Sequence, residues 1–344
     1  MTNRRTLMGM MASTAIALAA GNVAMAADVN LKMHGFLPLG ATIPAAIVQP
    51  WIDQVEANSN GRIEIDHFGT MALGGTPPEL FDQAVDGITD ISWTVIGYTP
   101  GRFPSTEVME LPFMVDDART ASSALWNLTE SQLMDTEFKD VKVLGTWVHG
   151  PGMFHTSDPV KVPSDLEGMK IRGGSRMVNQ LLEATGATGV GMPVPALPEA
   201  LSKGVVDGAT IPWEVTGTLK VPELVENHTE FDGSALYVLS FVMSMNLDVW
   251  NSLDADLQAV IDAASGHDFS VFAGGTQEDA DAPARAMAEE LGNNIITVSE
   301  EDAVKWREVV SPIIDGWVAE MGGKGIDGQG LIDQVQASMA AYGQ

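Results

Sequence analysis

A short internal repeat constrains the fold of this chain more than any other feature. Pro78-Glu79 opens a helical run that reaches Gly87, with Asp90 and Trp93 following. Pro198-Glu199, Gly204, Asp207 and Trp213 repeat the same order. Proline suits the first turn of a helix, where its missing N–H costs no bond, and glycine suits the position just past the last turn. In each copy Gly-x-x-Asp then feeds a β-rich segment that carries a tryptophan. Two similar half-folds on one chain imply two lobes facing each other, with room for a ligand between them.

The pattern around the first copy agrees. Val29 to Met33 reads as a strand, Thr42 to Ala57 as a helix, Ile63 to Phe68 as a strand and Pro77 to Val85 as a helix. Such alternation predicts the α/β class, with a parallel sheet covered by helices on both faces. The loop His34-Gly35-Phe36-Leu37-Pro38 lies at the carboxyl end of the first strand and so faces any cleft, where Phe36 is either ligand wall or core. Thr99 to Phe113 is a turn-rich loop, and Val141 to Val148 a further strand. His149-Gly150-Pro151-Gly152 reads as a crossover between lobes, and Leu236 to Met245 as a strand long enough to cross back. Helical spacing resumes over Asp254–Ala264, Asp279–Leu291, Glu300–Met321 and Leu331–Tyr342.

Between the crossovers lies GMKIRGGSRMVNQLLEATGATGVGMPVPALPEALSKGVVDGATIPWE, Gly168 to Glu214. A short apolar strand ends at Arg172, breaks at Gly173-Gly174, and gives way to a helix behind Ser175, a good N-cap. One guanidinium thus stands where a strand ends and a helix begins. Ligands of open α/β sheets gather at that end, and helix N-termini favour anions, so Arg172 is placed to clamp a carboxylate by a two-pronged contact. A lone arginine would more simply form a surface salt bridge.

The wider stretch bears on that choice. DLEGMKIRGGS, ATGATGVGMPVPALPEAL and SKGVVDG resemble the central signature of the tripartite ATP-independent periplasmic (TRAP) solute-binding proteins, the DctP-like family. HFGTMALGGTPPELFDQAVDGITDISW, GRFPSTEVMELPF and MNLDVWNSLDADLQAVIDAA resemble their family counterparts in the same order, covering nearly all of the chain after its leader. The resemblance implies a two-lobed periplasmic-binding-protein fold, type II-like, with a hinge between lobes and C-terminal helices. Lobe I is expected over 27–149 with about 238–277, and lobe II over 150–237 with about 278–344. It further implies a soluble monomer that closes on a small organic acid and delivers it to TRAP membrane permease subunits, with Arg172 gripping the carboxylate.

Many relatives carry a second arginine near Met153 and an asparagine at the position of Ile211. Here both sites are apolar, which disfavours sugar acids and dicarboxylates, whose extra polar groups would be buried unpaired. Trp93, Trp213, Tyr98 and Phe154 could form an aromatic wall or simply be core. Such a wall suits a small monocarboxylate of two kinds: a methylated onium acid of the betaine or dimethylsulfoniopropionate type, held by cation–π attraction, or an aromatic acid. Glu214, beside Trp213, complements a cation and favours the onium acid, unless it is a solvated rim residue.

At the N-terminus, Arg4-Arg5, the apolar run Leu7 to Ala20 and the small residues up to Ala26 read as an export signal over 1–26, by the general or the twin-arginine route, so the location expected is the periplasm. Removing that leader takes away two arginines and no acid, so the net charge of −28 becomes −30. So negative a surface argues against nucleic acid or anionic membrane as partner. With no cysteine, thiol chemistry is excluded and stability rests on the core. The six histidines show no metal-ligand spacing, and no cofactor is expected. Gly323 to Gly328 matches a dinucleotide fingerprint by letters but follows a helix, not a strand. No catalytic constellation stands out, and a transport protein is expected rather than an enzyme. A periplasmic sensor on the same fold, or an enzyme acting on a small acid, are the competing readings.

Overall fold

The computed structural model describes residues 28–342; the expected leader lies outside them. Eleven strands form two sheets among the described residues. In chain order they are β1 (Val29–His34), β2 (Ile63–Phe68), β3 (Ile91–Val95), β4 (Val141–Val148), β5 (Met153–Thr156), β6 (Lys170–Gly173), β7 (Thr188–Gly191), β8 (Gly208–Ile211), β9 (Asn227–Phe231), β10 (Ser240–Asn246) and β11 (Asn294–Val298). The first sheet has the order β2-β1-β3-β10-β4 and the second β11-β9-β5-β8-β6-β7.

The parallel sheet expected from alternation is mixed in both lobes. β1 pairs parallel with β2 and β3, but β10 runs antiparallel to β3 and β4. In the second sheet β6 is parallel to β7 and β8, while β5 is antiparallel to β8 and β9. The reversed strands β5 and β10 are the ones that arrive from the other sheet, so a crossover replaces the helix that would turn the chain back for parallel pairing.

The repeat is visible in hydrogen bonds. Gly87 and Gly204 have φ of 69° and 64°, the left-handed conformation that ends a helix. Asp90 Oδ2 accepts from the Lys32 N–H at 2.7 Å and its own N–H donates to Lys32 O; Asp207 does the same to Lys170, at 2.8 Å. Each aspartate thereby extends the ladder beside the strand that leads to the interlobe space.

Two crossovers run side by side. The Gly152 N–H donates to Tyr237 O at 2.9 Å, and the Leu239 N–H to His149 Nε2 at 3.0 Å. Residue 152 must be glycine, because a Cβ there would lie 2.3 Å from the Tyr237 ring. The strand expected over Leu236 to Met245 begins only at Ser240, since the preceding residues bond to the other crossover. The helix expected at Thr42 opens as a π-helical turn, Ile43–Val48, where the Gln49 N–H reaches Pro44 O. Pro50, which has no N–H, cannot continue an α ladder through that junction.

Cores form on the sheet faces. Trp306, at one end of the 24-residue helix Glu300–Gly323, packs on Phe154 and Phe231 of the second sheet, at 5.4 and 5.2 Å. Further along the same helix, Trp317 donates its Nε1–H to Glu107 Oε2 at 3.3 Å, in the turn Thr106–Glu110 that follows β3. The helix therefore fastens both halves.

Candidate functional site

Arg172 lies near the end of β6 and is 1% exposed. Ser175 caps the helix Arg176–Ala184 by accepting from the Val178 N–H at 3.2 Å, and Val178, Leu181 and Leu182 of that helix are buried. The guanidinium is held from behind: Nε donates to Met192 O at 2.9 Å and Nη1 to Thr210 O at 3.0 Å. Its Nη2 has no hydrogen-bond partner among the described residues. A buried cation held only by neutral carbonyls lacks its counter-charge, and its Nη1–Nη2 edge still has N–H groups for a planar anion. Gly174 leaves space for it, because a Cβ there would lie 3.2 Å from both terminal nitrogens.

Arg172 lines a cavity between the sheets. Phe36, Tyr98, Tyr237 and Phe241 give it aromatic surface, and Ile43, Val95, Val194, Ile211 and Leu239 add aliphatic surface. Phe36 and Tyr98 meet edge to face at 5.6 Å, and Phe241 stacks on the buried Trp147 at 5.3 Å. Tyr98 Oη accepts from the Val194 N–H at 3.0 Å, which leaves its own hydrogen to donate. Tyr237 Oη, near the Thr210 side chain, has no partner at hydrogen-bond geometry among the described residues. Burial raises the pKa of both phenols, so they stay protonated donors.

His149 adds no charge. Its Nε2 accepts from the Leu239 N–H, so the proton is on Nδ1 and faces Gly150 O. Burial, with the Arg172 charge adding to it, brings its pKa down to about 4. Among the described residues, Arg172 is thus the only cation on the wall.

Glu214, 5% exposed, is the acidic group of the cavity. Its N–H donates to Asp281 Oδ1 at 2.7 Å. Gln277 orients its carboxyl group: Gln277 Oε1 accepts from Trp147 Nε1 at 2.6 Å, so Gln277 Nε2 donates to Glu214 Oε2 at 3.3 Å. Glu214 Oε1 has no hydrogen-bond partner among the described residues. Burial holds this carboxyl at a pKa of about 7, against the lowering effect of Thr42 and Gln277.

Of the residues singled out from the sequence, Arg172, Phe36, Tyr98, Ile211 and Glu214 come together on this cavity. Four others are placed elsewhere. Trp93 lies behind Phe36 at 4.7 Å, over Gly35, and donates to His67 Nε2. Trp213 packs on His155 and His228 at 5.0 and 4.9 Å, and its Nε1 donates to Glu230 Oε2. Met153 packs in a small cluster with Trp213, Ala284 and Ala288, and Phe154 against Phe231 and Trp306. Each indole N–H is drawn to an acceptor inside its own lobe, which turns the ring away from the cavity. Missed in the sequence were Tyr237, Leu239 and Phe241, which line the cavity from alternate positions of one extended segment, a period that could have marked them. Gln277 carried no signal.

Over residues 39–320 the sequence matches the bacterial extracellular solute-binding proteins of family 7, DctP. The chain belongs to this family of TRAP solute-binding proteins. A TRAP solute-binding protein from Rhodoferax ferrireducens T118, in complex with copurified benzoate, is 42% identical, with 91% of this chain and 98% of that one covered at a TM-score of 0.90. A marine metagenome TRAP solute-binding protein specific for aromatic acid ligands, in complex with 3-hydroxybenzoate, is 39% identical over 93% and 100% of the two chains, also at 0.90. A Bordetella bronchiseptica TRAP protein with bound (R)- and (S)-mandelate is 30% identical over 91% and 99%, at 0.84. The two-lobed fold is shared with these structures. DctP proteins are extracytoplasmic and serve transport rather than catalysis, taking small acids to a TRAP permease. Among the described residues no helix is long and apolar enough to cross a membrane, and no group of His, Asp or Glu is placed to hold a metal.

Proposed function

We propose that this TRAP solute-binding protein captures a small aromatic monocarboxylate between its lobes and presents it to the membrane permease. The observation that carries the reading is the unpaired Nη2 of Arg172, which lines a cavity of aromatic and aliphatic walls with no second cation among the described residues. One carboxylate neutralises Arg172, with Tyr237 Oη free to donate to it, and the remainder of the ligand must be apolar to match Phe36, Phe241 and Leu239. A second carboxylate would be buried without a partner, at a cost of about 1–3 kcal/mol or more.

This replaces the methylated onium acid favoured by the sequence. Its cation–π wall was expected from Trp93, Trp213, Tyr98 and Phe154, and of these the cavity is lined by Tyr98, while both indoles, the strongest cation–π faces, are packed inside their own lobes. The three similar structures with aromatic acids bound support the same choice.

The test is a thermal-shift and calorimetry series on protein freed of ligand, using benzoate, succinate, galacturonate, glycine betaine and dimethylsulfoniopropionate. Benzoate at a hundredfold excess over its Kd should stabilise the fold by about 2.7 kcal/mol. Succinate, galacturonate or an onium acid binding more tightly than benzoate would overturn the reading.

A further inference from the structure

The cavity has two poles, and the aromatic-acid reading uses only one. Arg172 acts electrostatically on Tyr98, His149 and Tyr237, which marks these residues as its surroundings. Glu214, on the same cavity, lies beside Thr42 and Gln277. Apolar walls make up most of the remaining lining.

The second pole is built and incomplete. Trp147 fixes the Gln277 amide, and the amide fixes Glu214 Oε2 as an acceptor. That leaves Oε1, buried and without a hydrogen-bond partner among the described residues, as the atom open to a ligand, with the Thr42 side chain beside the carboxyl group. We propose that Glu214 Oε1 is a specificity determinant which binds a hydroxyl carried on the ligand's ring away from its carboxylate, so that the chain selects hydroxylated aromatic acids over unsubstituted ones. This rests on the aromatic-acid reading and narrows it.

A hydroxyl is the group that fits. Ionised, Oε1 can only accept, and a phenol donates to it. Protonated, with Oε2 already accepting from Gln277, the carboxyl carries its hydrogen on Oε1 and donates, and a phenol oxygen accepts. A methyl, halogen or carboxylate substituent cannot serve both states. In particular, a carboxylate would meet an ionised Glu214 with like charge in a buried site. An unsubstituted ring leaves Oε1 buried and unpaired, which weakens binding relative to a hydroxylated ring by about tenfold or more.

The experiment is calorimetric titration of benzoate, 3-hydroxybenzoate, 4-hydroxybenzoate and the size controls 3-methylbenzoate and 4-methylbenzoate. Wild type, Glu214→Gln and Glu214→Leu are compared, with the melting temperature of each unliganded variant measured alongside. At least one hydroxybenzoate should bind wild type about tenfold more tightly than both benzoate and its methyl control. Glu214→Leu should abolish or invert that preference, and Glu214→Gln, which keeps the shape, should reduce it. Equal affinity of wild type for hydroxyl and methyl compounds overturns the subsite and leaves the aromatic-acid reading standing. So does a hydroxyl preference that survives both substitutions. Failure of wild type to bind any of the five acids overturns both.

Discussion

Arg172 occupies in the second sheet the position that His34 occupies in the first. Each lies two residues beyond a lysine, Lys170 or Lys32, whose backbone is held on both sides by the repeat aspartate, Asp207 or Asp90. The His34 side chain is fully engaged: Nε2 accepts from the Leu73 N–H, and Nδ1–H donates to Gln83 Oε1 at 2.6 Å. Burial lowers its pKa and keeps it neutral. Arg172 keeps an open edge. Of two equivalent strand ends, one became a brace for its own lobe and the other faces the cavity.

Arg172→Lys should therefore reduce benzoate affinity by about a hundredfold or more. A single ammonium cannot hold the carbonyls of Met192 and Thr210 and also offer a planar edge to a carboxylate. Calorimetry checks this, and near-normal affinity in the lysine variant would refute the clamp.

Gly97→Ala should weaken binding without unfolding the protein. A Cβ at 97 would meet Ser175 Cβ at 2.6 Å, where the segment after β3 touches the first residues of the neighbouring helix. Nearby, Arg176 donates through Nε to Glu107 Oε1 at 2.9 Å and through Nη1 to Glu320 Oε2 at 2.8 Å. If this contact forms as the lobes close, the added methyl penalises the closed form alone. We expect about tenfold weaker benzoate binding, with the melting temperature of the unliganded variant nearly unchanged. A large drop in that temperature would show that the contact belongs to the open form too.

Trp213→Leu should act on stability and spare affinity. The indole is buried against His155 and His228 and donates to Glu230, which Arg285 also holds at 2.8 Å. Replacing a buried tryptophan by a smaller side chain costs about 2–4 kcal/mol, seen as a lower melting temperature. Loss of benzoate affinity at unchanged stability would instead place the indole against the ligand.

Stability should fall as pH rises from 6.5 to 8. Burial raises Glu110 and Asp281 to about 8 and Glu214 to about 7, so these acids hold protons in the fold that the unfolded chain releases near pH 4 to 4.5. A raised folded pKa gives stability that is present below the unfolded value and lost as pH climbs through the folded one. The histidines work oppositely: His67, His149 and His228, lowered to about 4, cost stability only below about pH 6.5. In the upper window the carboxyls act unopposed, each contributing up to about 1.4 kcal/mol per pH unit while protonated. Melting curves at pH 6.5, 7.2 and 8 check this. Glu110→Gln, uncharged at every pH, should flatten the slope, and an unchanged slope would remove Glu110 from the account.

What the sequence determined is what depends on neighbours along the chain. The strand limits at Ile63–Phe68 and Val141–Val148, the Ser175 cap, the glycine helix ends of the repeat and the place of Arg172 beside the strand break all follow from short-range rules of backbone geometry and spacing. The resemblance of several segments to one family, which the comparison confirms, was legible for the same reason. Tertiary structure decided where the large side chains point. Trp93 and Trp213 looked like walls of the cleft, yet each is captured by an acceptor distant in sequence, His67 or Glu230. Tyr237 and Phe241 reach the cavity because their segment bonds to the other crossover, and Gln277 reaches Glu214 across 63 positions of chain. A side chain's direction is set by whatever packs and bonds around it, and those partners are brought together only when the two sheets face each other.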